Sequence, residues 1–87
     1  MENKVSQSTI DNIIEHSEIT VETLFRKVTV VTLKLPNGFV LVESSGAVSA
    51  ANYSKKIGYE TCMSKITDEI WKFEGYKLAS ELMNHDA

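Results

Sequence analysis

Apolar and polar positions alternate along this chain in two different rhythms. Ile10, Ile13 and Ile14 stand three and four positions apart, one face of a short helix. Ser8 is the expected N-cap, with Asp11 in the capping-box position, and the helix should close near Ser17. The rhythm changes between Val21 and Leu35. Val28, Thr29, Val30, Val31, Thr32 and Leu33 form a β-branched run that favours an extended strand. Pro36-Asn37-Gly38 supplies turn chemistry, and Phe39–Val42 reads as the returning strand of an antiparallel hairpin. Ser44-Ser45-Gly46 should break that strand, with Ser49 or Asn52 capping the next helix. Tyr59, Cys62, Met63, Ile66, Ile70 and Phe73 then make one apolar stripe of a long helix. Gly75 is expected to end or bend it, and Tyr76, Ala79, Leu82 and Met83 continue as a short helical extension.

These elements give an α+β fold: a short N-terminal helix, an antiparallel β-hairpin and a long C-terminal helix with its extension. Residues 1–87 make a single domain, with 1–7 and 84–87 expected to be flexible. Both faces of the first strand carry apolar side chains, Val28 and Val30 on one and Val31 and Leu33 on the other. One helix cannot cover both faces, and a two-stranded hairpin is marginal alone. A second copy of the chain is therefore expected to complete the core as a dimer or larger oligomer. The alternative is that the first helix covers the second face within one monomer.

Composition narrows the function. A chain of 87 residues that is 43% apolar and 24% charged folds as a small globular unit. Its net charge of -3 argues against DNA or RNA binding, which needs a basic excess, yet leaves room for a small anionic ligand. No stretch reaches the length of a membrane span, and the polar start reads as no signal peptide. With one unpaired cysteine, Cys62, the expected location is the cytoplasm.

Little in the chain suggests catalysis. His16 and His85 have no nucleophile at a recognisable spacing, Cys62 falls on the apolar stripe, and the four glycines stand singly rather than in a phosphate loop. No metal or cofactor is expected, and the chain is not expected to be an enzyme. One segment does carry binding chemistry. Ala51-Asn52-Tyr53-Ser54-Lys55-Lys56 opens a helix, where free N–H groups and the positive end of the dipole suit phosphate. Asn52 can read a base or ribose edge, Tyr53 can stack on a base, and Lys56 can meet a phosphate. Arg26, in or near the first strand, offers a second and planar cation. The same residue types also suit a capped helix start with a core aromatic and solvated lysines.

The stretches TLKLPNGFVLVE, ANYSKKIGYETC and IWKFEGYKL, in this order, resemble a small family of tailed-phage proteins. The shared pattern is Asn-Gly-Phe, Ala-Asn-Tyr, Ile-Gly, then Trp and Glu-Gly-Tyr, over roughly residues 28–78. Within it the chain is similar to the Thoeris anti-defence sponge proteins. That resemblance implies a protein that binds a cyclic ADP-ribose isomer made by a TIR-domain enzyme and sequesters it without cleavage. It also implies dimers or larger oligomers with pockets shared between protomers, and leaves room for cyclic oligonucleotides at a separate interface site. Asn52 and Tyr53 carry over through Ala-Asn-Tyr, and Phe39 follows Asn-Gly in the motif, where it serves the ligand or only the core. Two departures stand out. The turn Val42–Ser49 lacks the Cys-Val-Asp-Pro of many members, and Lys77 and Ala79 stand where many carry arginine.

Two functions are expected from these residues, and a third is set against them. The first is a sponge for a cyclic nucleotide signal, which needs tight binding and no reaction. The second is a small protein that inhibits a host enzyme by surface contact. The third, a nucleotide-processing enzyme, lacks the base or metal it would need.

Overall fold

The computed structural model describes residues 3–86. Its element order is α1 (Gln7–Glu15), β1 (Glu18–Leu24), β2 (Val28–Lys34), β3 (Val40–Gly46), a 3-10 turn (Ala50–Asn52) and α2 (Lys55–Asp86). The three strands form one antiparallel sheet in the order β1-β2-β3. The α+β expectation holds, with one strand more than the expected hairpin. Of the ends expected to be flexible, residues 1, 2 and 87 lie outside the described residues; within the rest, α1 begins at Gln7 and α2 runs to Asp86.

The cap of α1 is Ser6, not Ser8: the Ser6 side chain accepts from the Thr9 backbone N–H at 3.2 Å. This cap places Val5 just before it and Ile10 four residues after it, the positions of a hydrophobic staple. Ile10 is fully buried and Val5 packs against the same cluster. A helix starting at Ser8 would lose that pairing.

β1 is a strand that the sequence pattern does not announce. Only Ile19 and Val21 mark its inward rhythm, and its link to β2 carries no Gly, Asn, Asp or Pro. Phe25 and Arg26 instead take the left-handed region, at φ 52° and 57°, and Lys27 N–H closes the turn on the Leu24 carbonyl at 3.1 Å. Ser44-Ser45-Gly46, expected to break β3, belongs to it and pairs with Val30, Thr29 and Val28. The Pro36-Asn37-Gly38 turn is as expected, with Gly38 at φ 91° and the Asn37 side chain accepting from the Phe39 N–H.

On the inner face of the sheet the rows are Ile19–Leu33–Leu41, Val21–Val31–Glu43 and Thr23–Thr29–Ser45. α2 lies across this face, burying Cys62, Ile66 and Ile70 against Val31, Leu33 and Leu41, and α1 adds Ile10 to the same cluster. Phe73, expected on the stripe, is about half exposed at its end. Both helices thus pack on one side, so α1 does not cover the second face. There Val40, Val42 and Leu24 stay exposed, and Val28 and Val30 half-buried.

Gly75 does not end the last helix; the stripe and its expected extension form one 32-residue helix. An interior glycine costs about 1 kcal/mol relative to alanine, too little to stop a helix with strong formers on both sides. At about 1.5 Å per residue, α2 is about 48 Å long, twice the roughly 24 Å of a seven-residue strand. Its C-terminal part therefore projects beyond the sheet and accounts for the 56 Å long axis.

Candidate ligand site at the start of the long helix

α2 is capped by Ser54 rather than by Ser49 or Asn52. The Ser54 hydroxyl accepts from the Ile57 N–H at 3.2 Å, and its carbonyl accepts from Gly58 N–H at 2.9 Å. Ser49 precedes the 3-10 turn and makes no side-chain cap bond. Between that turn and the end of β3 lies a cleft of about 150 Å³, lined by Ser45, Gly46, Ala47, Asn52, Tyr53, Ser54, Ile57 and Gly58. Its floor exists because β3 ends in small residues and because Gly58 lets α2 approach the sheet.

Asn52 and Tyr53 both line this cleft. Asn52 is exposed, and among the described residues its amide makes no hydrogen bond. Tyr53 is tethered: its hydroxyl lies 2.7 Å from the Thr29 hydroxyl and 2.8 Å from that of Thr23. The phenol therefore bridges β1 and β2, which fixes the ring beside the helix start.

Lys56 is exposed in the first turn of α2, next to the cleft but outside its lining. Arg26 is exposed on the β1–β2 turn at the same end of the sheet. The adjoining Lys27 carbonyl accepts from Ala47 N–H at 2.8 Å, which ties that turn to the cleft wall. Phe39 stands elsewhere. It follows the β2–β3 turn at the opposite end of the sheet, where its ring meets Phe73 edge-on, centroids 5.5 Å apart.

The charged side chains of the first turn of α2 are of one sign. The first turn of α2 holds Lys55 and Lys56 and no acid. Cations at a helix N-terminus oppose the macrodipole and cost roughly 0.3–1 kcal/mol each. A bound anion would relieve them.

Reactive groups lie away from the cleft. Burial pushes the Cys62 thiol up from its ordinary value, the opposite of an activated nucleophile; Lys65 pulls it back only in part. The Cys62 thiol donates weakly to the Thr29 carbonyl, at 3.7 Å. Glu69 on α2 is also raised, first because its carboxyl shares a hydrogen bond with Glu43 of β3 and then by burial. Among the described residues no three of His, Cys, Asp and Glu group as metal ligands. Among the described residues no helix is long and apolar enough to cross a membrane.

Two features were not legible in the sequence. One is the pair Thr23 and Thr29, which fixes Tyr53 across 30 and 24 residues of chain. The other is Phe25, 89% exposed and in a backbone region that bulky residues rarely adopt. A β-branched run announces neither threonine as a tether, and no turn signal marks Phe25.

A profile of the phage protein (N4 Gp49/phage Sf6 gene 66) family matches residues 5–82. No curated protein and no solved structure matches the chain.

Proposed function

The chain belongs to the phage protein (N4 Gp49/phage Sf6 gene 66) family, and we propose that it is an anti-defence sponge that binds a cyclic ADP-ribose isomer without cleaving it. Held in the cytoplasm of the host bacterium, the signal from a TIR-domain enzyme would not reach its effector, and Thoeris immunity would fail. One observation carries this reading: two lysines and no acid occupy the first turn of α2, beside a cleft that presents Asn52 and a fixed Tyr53. A pyrophosphate suits the lysines and Arg26, and an adenine suits the ring and the amide.

The cleft of about 150 Å³ is smaller than the 300 Å³ or more typical of ligand pockets, so it cannot bury a dinucleotide in one protomer. A second copy closing over it is part of the proposal, and cyclic oligonucleotides are candidate ligands of such a closed site. The protein acts by binding alone, without a cofactor and without turnover.

A thermal-shift screen against cyclic ADP-ribose isomers, cyclic oligonucleotides and linear ADP-ribose tests this. At 100 times its dissociation constant the ligand should add about 2.7 kcal/mol, a rise of roughly 10–20 degrees in a domain this small. No shift with any cyclic compound would refute it.

Direct inhibition of a host enzyme is the second reading. It is favoured by Phe25 and Val48, both almost wholly exposed. A single stoichiometric host partner in a pull-down, with no nucleotide effect on melting, would decide for it.

A further inference from the structure

The Pro36-Asn37-Gly38 turn carries chemistry as well as geometry. Of the asparagines at 3, 12, 37, 52 and 84, only Asn37 is followed by glycine. The side-chain amide of an asparagine can be attacked by the backbone nitrogen of the next residue. Glycine hinders that attack least, because it has no Cβ. The space around Gly38 is open: apart from its chain neighbours, nothing lies within 4 Å of where a Cβ would stand. Asn37 and Gly38 are both exposed, so water reaches the turn.

Two sets of hydrogen bonds hold the reacting groups. The Asn37 Oδ1 accepts from the Phe39 N–H at 3.0 Å. That bond polarises the amide and favours the oxyanion formed on attack, as donors aimed at developing charge do. The attacking nitrogen is held differently. The Gly38 N–H donates to the Leu35 carbonyl at 2.8 Å, and the Leu35 N–H donates to the Phe39 carbonyl at 2.8 Å. An amide nitrogen attacks only after it loses its proton, so the bond from Gly38 to Leu35 must open first. The electrophile is primed and the nucleophile is masked.

We infer that Asn37 is a deamidation site gated by opening of the β2–β3 turn. Hydroxide takes the Gly38 amide proton, and the nitrogen bonds to the Asn37 Cγ. The Cγ–Nδ2 bond then breaks, water returns a proton to the leaving nitrogen, and ammonia departs from a five-membered succinimide. A second water opens the ring. Opening at Cγ leaves aspartate. Opening at the backbone carbonyl leaves isoaspartate, whose main chain runs through Cβ and Cγ and is one carbon longer. The net change is one amide and one water to one carboxylic acid and one ammonia, with nothing oxidised or reduced. Exposed turn bonds open at little cost compared with the core, so the reaction needs only local opening.

The two products differ in what they do to the fold. Both add a carboxylate to the groove that Asn37 lines together with Leu35, Phe39, Phe73, Glu74 and Lys77. Aspartate keeps an acceptor for the Phe39 N–H and leaves the turn its length. Isoaspartate lengthens the turn between Leu35 and Phe39, so the two bonds that Leu35 makes across it no longer fit together. Phe39 then loses the position from which its ring meets Phe73. This turn lies at the opposite end of the sheet from the cleft, so the inference does not rest on the ligand reading.

Peptide-mapping mass spectrometry tests the site and its gate. The full chain, folded or unfolded in urea, is held at mildly alkaline pH beside a free peptide spanning Leu33–Val42. Conversion should be confined to Asn37, rise in proportion to hydroxide, and run at least tenfold slower in the folded chain than in the peptide. Unfolding should bring the two rates together. The isolated isoaspartate form should melt below Asn37→Asp, which serves as the turn of normal length. Equal rates in the folded chain and the peptide would overturn the gate. Earlier conversion at another asparagine, or an Asn37 still intact in the folded chain after many peptide half-lives, would overturn the site.

Discussion

Gly58 of α2 lies so close above Thr29 of β2 that a Cβ at position 58 would sit 2.7 Å from the Thr29 Cβ. Thr29 is fully buried, and its hydroxyl is 2.7 Å from that of Tyr53. The close approach of α2 to the sheet at Gly58 and the tether of the candidate site thus share Thr29. It is what holds the start of α2 against the end of β3.

Gly58→Ala should therefore destabilise the protein. Helix propensity alone would make the change favourable by about 1 kcal/mol. Overpacking against a buried strand residue should outweigh that and leave a net loss of roughly 1–3 kcal/mol. Urea denaturation measures the sign directly, and a stabilised variant would show that the helix has room to move.

Tyr53→Phe removes the hydroxyl and keeps the ring. The buried Thr29 hydroxyl then loses its tyrosine partner, at a cost of about 1–2 kcal/mol. If the ring stacks on a base, affinity for the cyclic nucleotide should change little. Tyr53→Ala should lower both stability and affinity. Measuring melting and ligand titration on the same two variants separates tether from platform.

The lysines at the helix start should show opposite effects on stability and on binding. Lys55→Glu/Lys56→Glu places acids at the positive end of the dipole and should add roughly 0.5–2 kcal/mol. The same change should weaken nucleotide binding at least tenfold and reduce its salt dependence. A variant that loses stability, or that binds as wild type does, would remove the anion from the picture.

Glu69 gives a pH dependence whose sign can be stated. Its carboxyl is raised above the ordinary value by the hydrogen bond with Glu43 and by burial. The folded state therefore takes up this proton more readily than the unfolded state does. The contribution is unfavourable above the raised value, where Glu69 is ionised, and is relieved as pH falls through it. Glu69→Gln should be more stable than wild type at neutral pH, and the difference should shrink on acidification. Thermal melts across that range check it, and a variant less stable at neutral pH would contradict it.

How far these features can be read from the sequence depends on range. The β-branched run at 28–33, the Pro36-Asn37-Gly38 turn and the stripe from Tyr59 are local signals, and each stands where its chemistry places it. β1 escapes such a reading because its turn uses Phe25 and Arg26 in a region usually left to glycine and asparagine, so no punctuation marks it. Asn52 and Tyr53 are legible as a pair because a short connection carries them back to β3. Tyr53's tether is not, because Thr23 and Thr29 reach it only through the fold. Phe39 shows the reverse case: a motif fixes its neighbours in sequence but not which end of the sheet it occupies. Gly75 signals less than its type suggests, since a single exposed glycine weighs little in a long helix.

The most direct test of the sponge reading is recovery of the ligand. The protein is incubated with a cyclic ADP-ribose isomer, separated from free nucleotide, denatured, and its released contents identified by mass spectrometry. Near-stoichiometric release of the intact cyclic compound is the predicted result. Release of a linear or hydrolysed nucleotide, or of no nucleotide at all, would contradict it.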